Sequence, residues 1–269
     1  MSSVSIDNKT SWRVVVIGSG NVAEALAKAL SRAEGVELCQ IFARNEVRGR
    51  ELAALASTSW SNRVEELAAA DLYIISVSDR AVEELSSSLP FADDAIVVHT
   101  AGSVAIDAIA HREGGRGILY AFQSFTAGVD VDFGEIPIFI EGDSAAVEER
   151  LRAFASKLTS RVYRADSELR RRIHLSGVFV NNFVNHLYAI GSDILSVEGL
   201  PFEILHPLIM ETARKAICSH NPRSVQTGPA VRGDGEVCRR HTNMLSDNEL
   251  AQRIYNDITN SIWETSKKI

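Results

Sequence analysis

The segment that most constrains this chain lies near its start. Residues 13–17 are Arg13 followed by an apolar run rich in valine, and Gly18-Ser19-Gly20-Asn21-Val22-Ala23 follows at once. A run without polar alternation suits a strand covered on both faces. Residues 23–30, which come next, have helix composition. A Gly-x-Gly-x-x-Ala turn between strand and helix is the setting in which this spacing binds a dinucleotide. Gly18 permits the tight turn, Gly20 lets the backbone approach a pyrophosphate, and Ala23 keeps helix and strand close. Ser19, Asn21 and Val22 complete the cradle at the helix N-terminus, whose dipole favours an anion.

Strand signals recur at 36–43, 72–77, 95–99 and 118–122. Helical stretches are expected between them at 46–56, 62–70, 79–88 and 104–112. This alternation predicts an α/β fold, an N-terminal Rossmann domain with a doubly wound parallel sheet and right-handed crossovers. Further strands at 136–141 and 161–164 flank a helix over 144–158. After Asp166 the strand signals stop. One long helix is expected over 167–199, closed by Gly199-Leu200-Pro201, with more helix at 202–219, 234–245 and 247–267. The expected organisation is a dinucleotide-binding domain over 1–166 and an all-helical substrate and dimerisation domain over 167–269, through which the protein would form a homodimer.

Cofactor choice is read about 20 residues beyond the glycines, at the end of the second strand. An NAD site places an acid there for the ribose hydroxyls. This chain has Ala43-Arg44-Asn45, with Arg48 and Arg50 close behind. A guanidinium takes a ribose 2′-phosphate in a bidentate, charge-assisted pair, so NADP is the expected cofactor. Ser76-Val77-Ser78-Asp79 and His99-Thr100-Ala101-Gly102 each follow a strand. Both lie at carboxyl ends, where such sheets bind ligands, and Ser76, Val77, Ser78, His99, Thr100 and Gly102 are expected to line the nicotinamide half of the cleft.

Composition narrows the partners. A net charge of -7 leaves no basic surplus for neutralising phosphates, which excludes nucleic acid as the main partner. No apolar run is long enough to span a membrane, and the polar N-terminus lacks the apolar core of a signal peptide. Cys39, Cys218 and Cys238 are far apart and odd in number, with no metal-type spacing. Reduced thiols in a cytoplasmic protein without a metal site are expected.

From Ile173 to Ser192 there is no Lys, Arg, Asp or Glu. So long an uncharged stretch of helix predicts burial against other helices or another subunit. At about 100° per residue, His174, Asn181, Asn185, Tyr188 and Ser192 share one stripe, opposite Phe179, Phe183, Leu187, Ile190 and Ile194. The stripe is either a polar network satisfied by neighbouring helices or a face contacting substrate and nicotinamide. Farther on, Thr227-Gly228-Pro229-Ala230-Val231-Arg232-Gly233-Asp234 forms an irregular loop. Arg232 there is either a fork for a substrate carboxylate or half of an internal pair with Asp234, and His241 follows one helix face on. Reduction of a carbonyl or imine also needs a proton donor, for which His99, His174 and His241 are the candidates.

These residues together resemble a known plan. A Rossmann domain, a long helix and a helical bundle is similar to the superfamily of 6-phosphogluconate, 3-hydroxyisobutyrate and pyrroline-5-carboxylate dehydrogenases and reductases. Val77-Ser78-Asp79, His99-Thr100-Ala101-Gly102, Gln123-Ser124-Phe125, His174 with Asn181-Asn182, and residues 227–234 with His241 more closely resemble a bacterial family joining a Rossmann-like domain to a C-terminal domain of unknown function. The resemblance implies an NADP-dependent oxidoreductase. One position departs from the hydroxyacid dehydrogenases: where they resemble this segment as Gly-x-x-x-Lys-x-x-x-Asn, the chain has Gly177, then Asn181, then Asn185. Asparagine orients a carbonyl but transfers no proton near neutral pH. The pyrroline-carboxylate reductases resemble the chain in lacking that lysine, which leaves a small ketone or imine substrate, carboxylated if Arg232 is its clamp. A non-catalytic NADP(H)-binding or sensing protein is the alternative.

Overall fold

The computed structural model describes residues 11–267, so most of the polar N-terminal stretch lies outside the described residues. The chain forms two compact units that divide between Asn181 and Asn182. No helix among the described residues is long and apolar enough to cross a membrane.

The first unit is built on an eight-stranded sheet ordered β3-β2-β1-β4-β5-β6-β7-β8. Its strands are β1 (Trp12–Ile17), β2 (Val36–Phe42), β3 (Ser59–Ser61), β4 (Leu72–Ile75), β5 (Ile96–His99), β6 (Arg116–Ala121), β7 (Ile138–Gly142) and β8 (Val162–Arg164). Side chains alternate across a strand, so β1 feeds two cores at once. Val14 and Val16 pack with Ala23, Leu26 and Leu30 of α1 (Asn21–Arg32). Val15 and Ile17 pack on the other side with Tyr73, Ile75 and Val97. Burial on both faces is why the run reads as continuously apolar. α2 (Glu46–Leu55), α3 (Val82–Ser88) and α4 (Ala145–Ala155) complete the layers, α4 through Val147, Leu151 and Phe154.

Several expectations are corrected. The sheet is not wholly parallel, because β7 runs antiparallel to β6. Strand β3 was not anticipated, since three residues are too short to show a period of two. The helices expected at 62–70 and 104–112 are single 3₁₀ turns, Val64–Glu66 and Ile106–Ala108. In the first, buried Gln40 takes the Glu66 carbonyl at 2.9 Å and the Ala68 amide at 3.0 Å, and the Tyr73 hydroxyl binds Ala68 and Ala70. In the second, the Ala108 and Ile109 carbonyls accept from Ser86 and Arg116 at 2.9 and 2.6 Å. Backbone groups that helix formation would need are thus taken by side chains from elsewhere in the fold.

The long helix begins with α5 (Ser167–Gly177), capped by Asp166, whose carboxylate accepts from the Leu169 amide at 2.8 Å. Arg170 of α5 is wholly buried. Its guanidinium pairs with Glu141 at the end of β7 and donates to the Val104 carbonyl. Ser167 joins them, donating to Glu141 at 2.8 Å and accepting from the Ile106 amide at 3.3 Å. Because of this cluster the start of the long helix is compact with the sheet. A π-helical segment, Val178–Phe183, follows and holds Asn181. Its wider turn advances each residue by less than the α-helical step, so the single wheel that placed His174, Asn181, Asn185, Tyr188 and Ser192 in one stripe does not run through it.

The second unit carries α6 (Val184–Val197), α7 (His206–Cys218), α8 (Pro229–Arg232), α9 (Gly235–Met244) and α10 (Glu249–Ser266). Its buried apolar residues, among those described, are Ala230 and Ala251, while Val197, Leu208 and Ile217 are exposed at 83%, 66% and 84%. The burial expected over 173–192 is likewise absent from the single chain, where Phe179 and Val180 are exposed at 60% and 71%.

Removing one partner of a buried ion pair leaves the other uncompensated. Arg170→Ala is expected to lower unfolding stability by about 3–5 kcal/mol in urea titrations. The Arg170→Met, Glu141→Leu double variant, which removes both charges, is expected to recover most of that loss.

Candidate active site

The strand order turns back at β1 and β4, and doubly wound sheets take their ligands in the crevice beyond the carboxyl ends there. Gly18 leaves β1 with its amide donating to the Phe42 carbonyl at 2.9 Å, while the Ser76 amide donates to Ile17 at 2.7 Å. The two chain ends are so close that a Cβ on Gly18, at φ +125°, would lie 2.0 Å from the Ser76 carbonyl oxygen. Glycine is required there for both space and backbone conformation. A Cβ on Gly20 would meet nothing within 4 Å. Gly20 is the N-cap of α1, and no side chain fills the capping role, so the first amides of the helix are left for an anion.

A cavity of about 580 Å³ opens over this turn. The structure gathers around it Gly18, Ser19, Gly20, Asn21, Val22, Arg44, Asn45, Ser76, Val77, Ser78 and Thr100, which sequence reasoning had placed at the cofactor. Two of them also hold the walls. Asn21 donates to the Phe125 carbonyl at 3.0 Å, drawing in the loop after β6, and Asn45 caps α2 by accepting from the Arg48 amide at 3.0 Å.

The three arginines after β2 are in different states. Arg48 is paired with buried Glu24 and with Glu51 at 3.1 Å. Burial pushes the Glu24 carboxyl up, but Lys28, the Gly128 amide and Arg48 outweigh it and hold the group below the usual carboxylate range. Arg50 pairs with Glu46 at 2.9 Å and lies over the Trp60 ring. Arg44 lines the cavity, exposed, with no hydrogen bond or ion pair to the described residues. Of the three, it is the one whose guanidinium is left without a partner among the described residues.

His99 and Gly102 do not line the cavity. His99 is buried, with Nδ1 accepting from the Ala101 amide at 3.2 Å and Nε2 against the Ala105 carbonyl at 3.2 Å. Burial drives its pKa down to about 4, so near neutral pH the ring is uncharged, with both nitrogens engaged in shaping the 99–105 turn. That occupation removes it from the candidate proton donors. Gly102, in the same turn, faces His174 of α5. A Cβ there would fall 2.5 Å from His174 Nδ1 and 3.0 Å from Tyr120 Cζ. Tyr120 Oη and His174 Nδ1 are 3.0 Å apart. The turn that brings Thr100 to the cavity therefore also packs, through Gly102, against His174, and Asn181 follows seven residues on in the chain.

Within the second unit, Asn185 and Arg232 are exposed and His241 is half-buried. Asp234 caps α9, accepting from the Val237 amide at 3.1 Å, and Arg232 forms no ion pair with the described residues. The internal Arg232–Asp234 pair is therefore not formed. His241 Nδ1 meets Tyr255 Oη at 2.9 Å on the wall of an apolar cavity of about 420 Å³ that also takes in Leu187, Ile254 and Ile262.

Sequence reasoning missed Tyr120, Gln123 and Phe125 as site residues. The last two line the cofactor cavity. Tyr120 stands out only as the one polar tip in the apolar stretch 117–121, and its partner is 54 residues away.

The chain matches the family described as NADP oxidoreductase, coenzyme F420-dependent, over residues 13–103. It matches a domain of unknown function, DUF2520, over 136–262. No curated protein matches it. A Bacteroides fragilis protein named as an NADP oxidoreductase has a solved structure that is 40% identical, with 96% of this chain and 100% of that chain covered and a TM-score of 0.87. The 1-pyrroline-5-carboxylate reductase of Streptococcus pyogenes shares the fold at 15% identity, covering 97% and 100%, with a TM-score of 0.61. An imine reductase of Myxococcus stipitatus solved with NADP+ shares it at 16% identity, covering 95% and 93%, with a TM-score of 0.56. With a turn built for a dinucleotide and this full-length likeness to the Bacteroides protein, the chain belongs to the oxidoreductase family that joins an NADP-oxidoreductase domain to DUF2520.

Proposed function

We propose that the protein is a cytoplasmic NADP-dependent reductase of a small carbonyl or imine compound, working as a homodimer. The observation that carries the cofactor assignment is Arg44, an unpaired guanidinium on the wall of the cavity, where an NAD site would hold an acid. The residues present fit the dinucleotide. Gly20 leaves open space beside the backbone, and the uncapped N-terminus of α1 offers amides to the pyrophosphate. When bound, NADPH supplies the hydride. On this reading Ser76, Val77, Ser78 and Thr100 flank the reacting end, and His174 and Asn181 hold the substrate's polar atom. In the second unit Arg232, exposed and without an ion pair, suits a substrate carboxylate, and Asn185 and His241 are further candidates for substrate contact. Functionally the chain divides as dinucleotide-binding over 1–166 and substrate-binding and dimerising over 167–269.

A second copy of the chain supports the homodimer on physical grounds. A helical unit whose described buried apolar residues are two alanines, while Val197, Leu208, Met210 and Ile217 are all at least 66% exposed, has not buried its apolar surface.

Calorimetric titration tests the cofactor. Arg44→Ala is expected to weaken NADPH binding about 10- to 100-fold, the worth of one charge-assisted bond, and to leave NADH binding unchanged. Equal effects on both would remove Arg44 from the 2′-phosphate. Turnover tests the site: His174→Gln is expected to cut NADPH oxidation with carbonyl and imine substrates by about 100-fold or more while NADPH still binds. Binding without turnover in the wild type would instead mark an NADP(H) sensor. Sedimentation equilibrium is expected to give twice the 29.4 kDa chain mass, falling toward one chain in Leu208→Arg, Ile217→Arg. A wild-type chain that sediments as a monomer would remove the homodimer.

A further inference from the structure

We propose that Tyr120 is a positioning residue: its hydroxyl donates to His174 Nδ1, which places the neutral ring's proton on Nε2 and makes that atom a donor for a hydrogen-bond acceptor at the reacting centre of the substrate. The proposal rests on the reductase reading for the word substrate, but its geometric basis is independent of it.

Tyr120 is buried, 9% exposed, in strand β6. Among the described residues its Oη has one hydrogen-bond partner, His174 Nδ1, at 3.0 Å. A phenol has one proton to donate, and a buried donor left without an acceptor costs about 1–3 kcal/mol. If Nδ1 carried the ring proton, both groups would be donors, and the phenol proton would have no protein acceptor. The satisfied arrangement has Tyr120 donating and Nδ1 accepting. In neutral imidazole the proton then resides on Nε2. Burial holds the phenol pKa up at about 12, so the hydroxyl keeps its proton throughout the working range.

Three features hold the pair. Gly102 lets the ring and the phenol close, since a Cβ there would stand 2.5 Å from Nδ1. The rings meet edge to face, with centroids 6.0 Å apart. Arg170, one turn before His174, is locked to Glu141 and Val104, which fixes the helix that presents the ring. Nε2 is left without a hydrogen bond to the described residues, on a side chain that is exposed. Nε2 also keeps its proton in imidazolium, so it is a donor in either charge state.

The consequence is a preference in substrate class. A carbonyl oxygen or an unprotonated imine nitrogen has a lone pair for Nε2–H. A preformed iminium cation presents N–H against N–H and is disfavoured. A neutral imidazole donating to a carbonyl in this way is an established catalytic role.

Long-range proton–nitrogen correlation spectra on the NADP+-bound full chain, at alkaline pH where imidazole rings are neutral, read the tautomer directly. The His174 signals are identified by their loss in His174→Gln. The expected result is the Nε2–H form alone in the wild type and loss of that exclusivity, to a mixture of both tautomers, in Tyr120→Phe, which keeps the ring's volume. Gly102→Ala, with the phenol intact, is expected to give the same loss by displacing the ring. A wild-type Nδ1–H form, or a spectrum unchanged by Tyr120→Phe, overturns the proposal. Because the spectrum needs no turnover, it decides the tautomer even for a protein that binds NADP without reducing anything. Where a ketone is reduced, Tyr120→Phe is expected to lower kcat about tenfold while the Kd for NADPH stays within twofold. An unchanged kcat would remove the catalytic consequence.

Discussion

The buried contact of Arg170 with Glu141 decides how the first unit is put together. A guanidinium without solvent access must be paired and hydrogen-bonded, and here the partners come from three places in the chain: β7, the turn after β5, and the first turn of α5. The same contact that closes the fold therefore determines where α5 leaves the sheet. It also places His174, one helical turn later, beside Tyr120 and Gly102. The arrangement has a cost, since Arg170 Nε is buried without an acceptor. A well-packed apolar contact would avoid that cost. What the ion pair adds is direction: a fork with fixed hydrogen-bond geometry determines the helix's rotation as well as its position.

Electrostatics divides the cofactor cleft in a comparable way. Glu24 sits in the first turn of α1, close to where a pyrophosphate would lie, and an unbalanced carboxylate there would repel it. Lys28, Arg48 and the Gly128 amide neutralise the acid from three sides. Arg48 is consumed in doing so, and Arg50 is consumed by Glu46 and Trp60. Of the three arginines that stand within these seven residues, Arg44 is thus the one on the cleft wall without an ion pair to the described residues.

What was legible in the sequence follows from the range of the interactions involved. The strand–glycine–helix turn is encoded locally. β1 is apolar because both its faces are buried, and Gly18 is glycine because Ser76 leaves no room for a Cβ, so the motif could be read without knowing the rest of the fold. Arg44 was legible because its distance from the glycines is set by one βα unit. The pairing of Tyr120 with His174 was not, since nothing in either segment announces the other. The lost helices at 62–70 and 104–112 were illegible for the same reason. Their composition favours helix, but Gln40, Tyr73, Arg116 and Ser86 bind their backbone from a distance, and tertiary hydrogen bonding outweighs propensities worth a few tenths of a kcal/mol per residue.

The long helix shows where a regular wheel fails on physical grounds. Its uncharged stretch is real, and the expectation drawn from it is burial against other helices or another subunit, with five polar residues in one stripe. The chain instead inserts a π-helical segment at Val178–Phe183, in which each amide reaches one residue farther back and the faces on either side lose register. π-Turns are unfavourable in isolation and are found mostly where a function retains them. Here the segment contains Asn181 and begins directly after Gly177, whose missing side chain makes room for Phe122. Regular α-helix therefore stops at Gly177 and resumes at Val184 as α6. The helical face that reaches the sheet is therefore short, set by Arg170 and His174. A polar stripe drawn through five residues overstates what one face of this helix can present, and of the five it is His174 that hydrogen-bonds to the sheet, at Tyr120.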